Sequence, residues 1–369
     1  MIDSIKLALP TSAVTFTSFV GYRNVSEDTL KELISNNGYK EGCEYVNYEK
    51  IYIHNNGYMP AIGVCAYKNQ APVLWLRVSL PKLLYQTNMY EICENDFDKV
   101  VQEICYAATN LGIDIPKSAI YNARIWEVHI GKNIDLNSTG LTVATVLSAL
   151  NKLAFDKRLS QSKVYYLNLL DNCDKMQIEY NEGEKWSAGC KSYEYCFYDK
   201  TKEVLKDDWG QGFMKRHPEL NNVIRLEYRL YNADSVKRGF EKAGIDKNIC
   251  FKDFFTDANF QLLNLFIWNK VIRPQICWLG FIDNDPMVLL NKMQTLNIKP
   301  VNALKILGVF YLNLTENSCR TIKTLFPPRS NIVVRLKQQI EAINGLETYS
   351  LVDTFKFIEM ELIKNQPMI

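Results

Sequence analysis

Histidine is scarce in this sequence: His54, His129 and His217 are the only three in 369 residues. No His-hydrophobic-His triplet occurs, and a histidine-rich metal cluster cannot be assembled. An HExxH helix, a GxSxG elbow, a Walker lysine motif and a phosphate-cradling glycine loop are all missing too. A zinc protease, a serine hydrolase or a P-loop ATPase therefore has no visible site. The ten cysteines contain no CxxC pair, which leaves zinc-ribbon and dithiol redox chemistry without a motif. They are expected to be reduced, mostly buried thiols in a cytoplasmic protein. Met1–Pro10 lacks the basic start and apolar run of a signal peptide, and no apolar stretch is long enough to cross a bilayer. No membrane partner is expected. Excess charge is lacking as well: the net charge is +2, so any grip on nucleic acid must come from local basic clusters.

What is present is ordinary for a globular chain, with 47% hydrophobic and 23% charged residues. The length suits two domains better than one core. Ile5, Leu7 and Leu9 alternate up to Pro10, as an opening strand would, and Asp28–Ile34 has helical spacing. Ile51–His54 and Ala61–Ala66 flank Asn55-Asn56-Gly57 and predict a hairpin. Val73–Leu80, Ile120–Ile130, Val164–Leu169, Tyr193–Tyr198 and Val223–Leu230 read as strands, while Phe97–Ala108 and Leu141–Leu153 carry helical stripes. From about Phe251 the periodicity is helical, through Phe254–Ile272, Val301–Tyr311, Cys319–Leu325 and Ile332–Ile343. The expected fold is α+β: a mostly antiparallel sheet with flanking helices over residues 1–245, then an all-helical region over 246–369.

Four segments could carry chemistry. In Lys191–Val204, KSYEYCFYDKTKEV, strand alternation aligns Tyr198 with Cys196 and Glu194, and with Lys200 if the strand continues. A phenol with a pKa near ~10 needs help to ionise, and a neighbouring cation can also stabilise a pentavalent phosphorane. By spacing alone a plain Tyr-rich strand, whose tyrosines favour sheets and carry a polar tip suited to a surface, is the better explanation. In NARIWEVHI, Glu127 and His129 share a face with Ile125 beside them, and a carboxylate and an imidazole at i and i+2 can chelate one divalent cation. A half-buried strand with a chance alternation is the bland alternative. In VIRLEYRL, Val223, Arg225, Glu227 and Arg229 share the polar face, where arginines could clasp phosphates while Glu227 holds a metal. A solvated face of cross-strand ion pairs would look the same. In WLRVSLPKLLYQTN, Lys82 and Asn88 stand where a strand ends and could meet a DNA backbone, although most strand ends are merely capped.

The succession SLPKLL…TN, ARIWEVHIGKNI, YCFYDKTKE and VIRLEYRL resembles the filamentous-phage gene-two rolling-circle initiators and the plasmid Rep_trans initiators. The opening MIDSIKLALP and the later NIKPVNALKILGVFYLNL and PPRSNIVVRLKQQI resemble the phage family too. The resemblance covers most of the chain, and FYDK-x-KE with IRLEYRL is its specific part. It implies a HUH-like endonuclease sheet, in which metal ligands come from central strands. Tyr198 would be the nucleophile and Lys200 its essential lysine, with a divalent ion, Mg or Mn, held by Glu127, Glu227 and His129. Arg225, Arg229, Lys82 and Asn88 would touch DNA. The implied activity is nicking and rejoining of origin DNA through a 5′-phosphotyrosine, with host helicase, single-strand-binding protein and polymerase as partners. A non-catalytic DNA-binding regulator, or a relaxase or transposase of the same class, remains the alternative.

Overall fold

A computed structural model describes residues 1–23, 25–35, 45–50, 58–67, 70–152, 164–165, 176–181, 184–206, 208–273, 276, 293–294, 296–314, 338 and 350–364. The strands are β1 (Ile2–Pro10), β2 (Thr15–Phe16), β3 (Tyr45–Glu49), β4 (Ala61–Tyr67), β5 (Val73–Ser79), β6 (Ile113–Asp114), β7 (Arg124–Asp135), β8 (Val164–Tyr165), β9 (Met176–Asn181), β10 (Lys185–Gly189), β11 (Tyr193–Asp199) and β12 (Val223–Leu230). The helices up to residue 267 are α1 (Glu27–Ser35), α2 (Leu80–Tyr85), α3 (Phe97–Asn110), α4 (Lys117–Tyr121), α5 (Val143–Lys152), α6 (Lys200–Val204), α7 (Asp208–Arg216), α8 (Ala233–Ala243), α9 (Phe251–Phe254) and α10 (Asp257–Ile267).

Among the described residues, ten strands form one sheet in the order β3-β4-β5-β1-β7-β12-β11-β10-β9-β8. Every neighbouring pair is antiparallel. The class is thus α+β with a large antiparallel sheet. One face of the central strands carries Ile5, Leu7, Val128, Ile130, Leu226, Tyr228, Tyr195 and Phe197, all buried. It packs against apolar stripes of the helices, including Val101 and Ile104 of α3, Leu147 of α5, Phe240 of α8 and Leu263 of α10. Helix ends are satisfied locally: Asn232 caps α8 through the Ser235 amide, and Gly244 closes that helix at a φ of 83° that an L side chain would resist. The core continues past residue 245, where Phe251, Phe254, Trp268 and Phe355 join the same cluster. The described residues there form α9, α10, the π-turn Trp268–Ile272 and the helices Pro300–Leu314 and Ser350–Ile363. Of the six described cysteines, Cys65 and Cys196 are buried and the other four only partly so, against the expectation of mostly buried thiols.

Several sequence expectations shift. Ile120 belongs to α4, whose start follows Pro116, and the strand begins only at Arg124. That strand does not stop at Ile130 but continues through Gly131 to Asp135. Gly131 is tolerated because it faces Glu227 across the ladder, and the Arg225 side chain occupies the space a larger residue would need. Lys200 does not extend β11, because the Asp199 carboxylate accepts from the Lys202 amide and turns the chain into α6. The helix Ser350–Ile363 was not anticipated. The expected Ile51–His54 strand with its Asn55-Asn56-Gly57 turn, and the helices Cys319–Leu325 and most of Ile332–Ile343, lie outside the described residues.

Two bulges interrupt the pairing of β1 with β7. Ile2 faces Ile130 but Ser4 faces His129, so Asp3 is an extra residue in β1; Lys6 faces Glu127 but Leu7 faces Ile125, so Trp126 is extra in β7. A bulge breaks strict alternation and re-aims a side chain. Asp3 and Trp126 both join the polar face by this route, and Ile125 drops to the core face, away from Glu127 and His129.

Gly131 allows a direct test of this packing. A Cβ at that position would lie 2.9 Å from both Arg225 Nη2 and the Leu226 carbonyl oxygen. Gly131→Ala is expected to lower stability by about 2 kcal/mol, the usual scale of overpacking, read as a shift of the urea midpoint at unchanged slope.

Candidate active site

The sheet face opposite the core is polar across its middle strands. Register places Tyr198 beside Arg225 and Cys196 beside Glu227 between β11 and β12. On the other flank, Arg225, Glu227 and Arg229 face Asn133, Gly131 and His129 of β7. β1 adds Lys6 opposite Glu127, and β5 adds Arg77 opposite Lys6. Strand alternation therefore gathers the expected site residues of three separate segments onto one surface.

Arg225 is the hub. It is completely buried, and a lone buried guanidinium would be prohibitively costly. Its Nε donates to Glu227 Oε1 at 2.6 Å and its Nη1 to Asn133 Oδ1 at 2.8 Å, while Nη2 lies 2.9 Å from Asp3 Oδ1. The expectation that Arg225 touches phosphates is corrected: its donors face inward, and the Asn88 carbonyl oxygen lies 3.5 Å from Nη1. Asn88 thus reaches the hub through its backbone. A small apolar cluster of Met89, Val204, Phe213, Leu220 and Val223 closes this end of the face.

Glu227 is equally buried and saturated. Oε1 accepts from Arg225 Nε and, at 2.6 Å, from the Tyr198 hydroxyl. Oε2 accepts from Arg229 Nε at 2.7 Å, with Arg229 Nη2 2.5 Å away. Burial alone would raise its pKa, but Arg225 and Arg229 outweigh that and hold the carboxyl far below the carboxylate range. Arg229 also bonds Glu194 Oε2 at 2.9 Å. Glu194 in turn accepts from Tyr231 at 2.6 Å and from Lys185 at 2.8 Å. Arg229 keeps 23% of its side chain exposed, and Arg77 keeps 53%, so the face opens toward these residues.

Tyr198 is half-buried at the closed end. Burial first, and then the negative charge of Glu227, push its phenol well above the ordinary value, so it holds its proton and donates it to Glu227. Tyr193 and Tyr195, the neighbouring alternatives, are buried on the core face. Lys200 leaves the strand yet returns to the tyrosine from α6. Its Nζ sits 5.7 Å from the centre of the Tyr198 ring and 2.5 Å from Glu203 Oε2. Burial, then the charge of Arg225, pull its pKa from 10.5 to about 8, which brings proton exchange close to neutral pH. Lys82 is half-buried on α2.

Asp3, His129 and Glu227 each present one donor atom, all within 4.8 Å of one another. Two carboxylate oxygens and an imidazole nitrogen are donor types that a divalent cation can take, but both carboxylates here are already ion-paired to arginines. The expected set changes in one member: Glu127 is turned to an ion pair with Arg77, and His129 Nε2 lies 3.1 Å from its Oε1 without hydrogen-bond alignment. Burial would raise the Glu127 pKa, but His129 and Arg77 together hold it down. Glu127 therefore supports His129, and Asp3 takes its place in the cluster. Sequence periodicity hid Asp3, because strict alternation with Ile5, Leu7 and Leu9 points it to the core. Tyr231, next after β12, was the other omission, and Glu194 was placed on the Tyr198 face without a role. Comparison with protein-family models, with curated proteins and with solved structures finds no match. Among the described residues, no helix is long and apolar enough to cross a membrane.

Two stability measurements follow from this network. Glu227→Gln leaves two guanidiniums short of a counter-charge and is expected to cost about 3 kcal/mol, as for other broken buried pairs. The carboxyl's folded pKa is depressed, so its stabilisation is whole above the ordinary value of 4.5 and fades as pH falls below that; acid titration of the wild type but not of Glu227→Gln should show this loss. Lys200 has the opposite sign, because its folded pKa lies below its unfolded one. Its buried charge opposes folding below pH about 8, and this cost is relieved as pH rises from there toward 10.5. Lys200→Met is expected to raise stability at pH 7 by roughly 1 kcal/mol, measured by thermal and urea unfolding.

Proposed function

We propose that this chain is a rolling-circle replication initiator that nicks and rejoins single-stranded origin DNA through Tyr198. The observation that supports this best is the position of the Tyr198 hydroxyl, 2.6 Å from Glu227 within the network that also holds Asp3 and His129, with Lys200 against its ring. A nucleophile, a cation and a cluster of carboxylate and imidazole donors on one sheet face are the parts that phosphoryl transfer needs. The HUH-like character of the sheet and the helical nature of the C-terminal region belong to this proposal.

In the proposed reaction the phenol oxygen attacks the scissile phosphorus. The new O–P bond forms as the P–O3′ bond breaks, leaving a 5′-phosphotyrosine and a 3′-hydroxyl that carries the proton given up by the phenol. Glu227 orients the hydroxyl but is too weak a base to ionise it, since two arginines hold its charge. Lys200, charged below pH about 8 and lying against the Tyr198 ring, is placed to offset the phosphorane's charge. Arg229 and Arg77, the exposed cations of the face, bind the flanking phosphates. Asp3, His129 and Glu227 would hold a divalent ion, which when bound would neutralise phosphate charge and orient the bond to be cut. The 3′ end would then prime a host polymerase, and reversal would close the displaced strand.

The saturation of Glu227 favours a second reading, a DNA-binding regulator in which the same network is a strut. Covalent capture separates the two. Incubated with an origin-bearing single-stranded oligonucleotide and Mn²⁺ or Mg²⁺, the protein should gain the mass of the 5′-linked product. Tyr198→Phe should abolish the adduct while leaving affinity within about threefold, and Lys200→Ala should slow it by about 10²-fold. Binding without any adduct would leave only the regulator.

A further inference from the structure

The polar face does not end at Glu127. Along β7 it runs on through the bulge residue Trp126 to Arg124, at roughly 3.3 Å per residue, and opens into a cavity of about 750 Å³. The outer ends of β1 and β5 and the helix α4 form its walls, with Pro10, Pro72, Gln70 and Asn122 among the lining residues. Three features give it a chemical character. First, its described lining carries no carboxylate, and its one charged side chain is Arg124, which is exposed and has no ion-pair partner among the described residues. Second, Trp126 is only half-buried, although regular alternation would have sent it to the core face. Third, Lys6 stands between cavity and site, with its Nζ 4.3 Å from the Trp75 ring centre and 5.9 Å from that of Trp126. Lys6, Arg77 and Arg124 thus make a cationic track from His129 to the cavity, with an indole beside it. The cavity lies within the size range of small-ligand sites.

We propose that this cavity is a nucleobase subsite for single-stranded DNA. A base a few nucleotides from the cut stacks on Trp126, its phosphate meets Arg124, and its edge faces the amide side chains of Gln70 and Asn122. An aromatic ring flanked by cations along a groove is the arrangement that holds single strands, because every base has a π-face and every linkage a charge. The Trp126 bulge would then have a purpose: it turns an indole out of the core at the spot where the strand leaves the site. The subsite rests on the rolling-circle reading for its ligand, and it would set which sequence is tolerated beside the nick.

The test uses the full chain with EDTA present, so that binding is read without cleavage, and an oligo(dT) probe carrying one 5-iodouracil at successive positions. Irradiation should attach one of these positions to the peptide holding Trp126. Trp126→Ala should weaken binding about tenfold, within the range that stacking on one ring supplies, and Trp126→Phe should restore most of it. Arg124→Gln should lower the single-strand salt slope by about 0.7. Cross-links confined to other peptides, with Trp126→Ala binding like wild type, would overturn the subsite while leaving the nicking reaction intact. A wild type that holds no single-stranded DNA at all would instead remove the rolling-circle reading, and the subsite with it.

Discussion

A fully buried guanidinium governs the architecture of the polar face. Arg225 cannot be left without counter-charges, and it finds them in Asp3 and Glu227 on either side. Each requirement propagates. Asp3 must be lifted out of alternation by a bulge, Gly131 must lack a side chain, and Asn133 and the Asn88 carbonyl must turn inward. Glu227, fixed between two arginines, then has a lone pair left for the Tyr198 hydroxyl. The tyrosine is thus held by a carboxylate that is itself held. Such nesting keeps the hydroxyl within tight geometric limits without relying on a loop.

The same arrangement explains why charge on this face is both dense and nearly balanced. Glu127, Glu194, Glu203 and Glu227 are each matched by at least one cation: Glu127 and Glu194 across strands, Glu227 along its own strand and Glu203 within α6. The network meets solvent at its edge through Arg77 and Arg229, each paired to a carboxylate yet partly exposed. A polyanion would therefore be drawn to the rim first, and would meet the buried donors only after reaching it. Near-neutral composition is therefore compatible with exposed positive charge at one rim of this face.

Much of this was legible in the residues. Period-two patterns marked β1, β4, β5, β11 and β12 closely, and the assignment of Arg225, Glu227 and Arg229 to one polar face holds. Local pattern failed where tertiary contacts decide the outcome. Gly131 reads as a strand end, yet it continues the strand because a side chain from the neighbouring strand fills its space. Asp3 and Trp126 follow from bulges that no alternation rule registers. Lys200 shows the reverse case: Asp199 redirects the backbone, and the side chain still reaches Tyr198 from a helix. Arg225 looked like a surface cation because sequence reports the face a residue takes but not what covers it.

The two bulges sit in opposite partners of one strand pair, so the offset that one introduces the other cancels. Ile2 with Ile130 and Leu7 with Ile125 keep a common frame, and only Ser4 to Lys6 are displaced between them. Loss of either extra residue alone would throw half of the sheet out of step, turning core side chains to water. Loss of both would restore an unbroken ladder, with a sound core and a face stripped of Asp3 and Trp126. The foldable path to a simpler sheet therefore requires two coordinated deletions about 120 residues apart. Single-residue drift is blocked at both positions, so the polar face is protected by the folding requirement of the sheet that carries it.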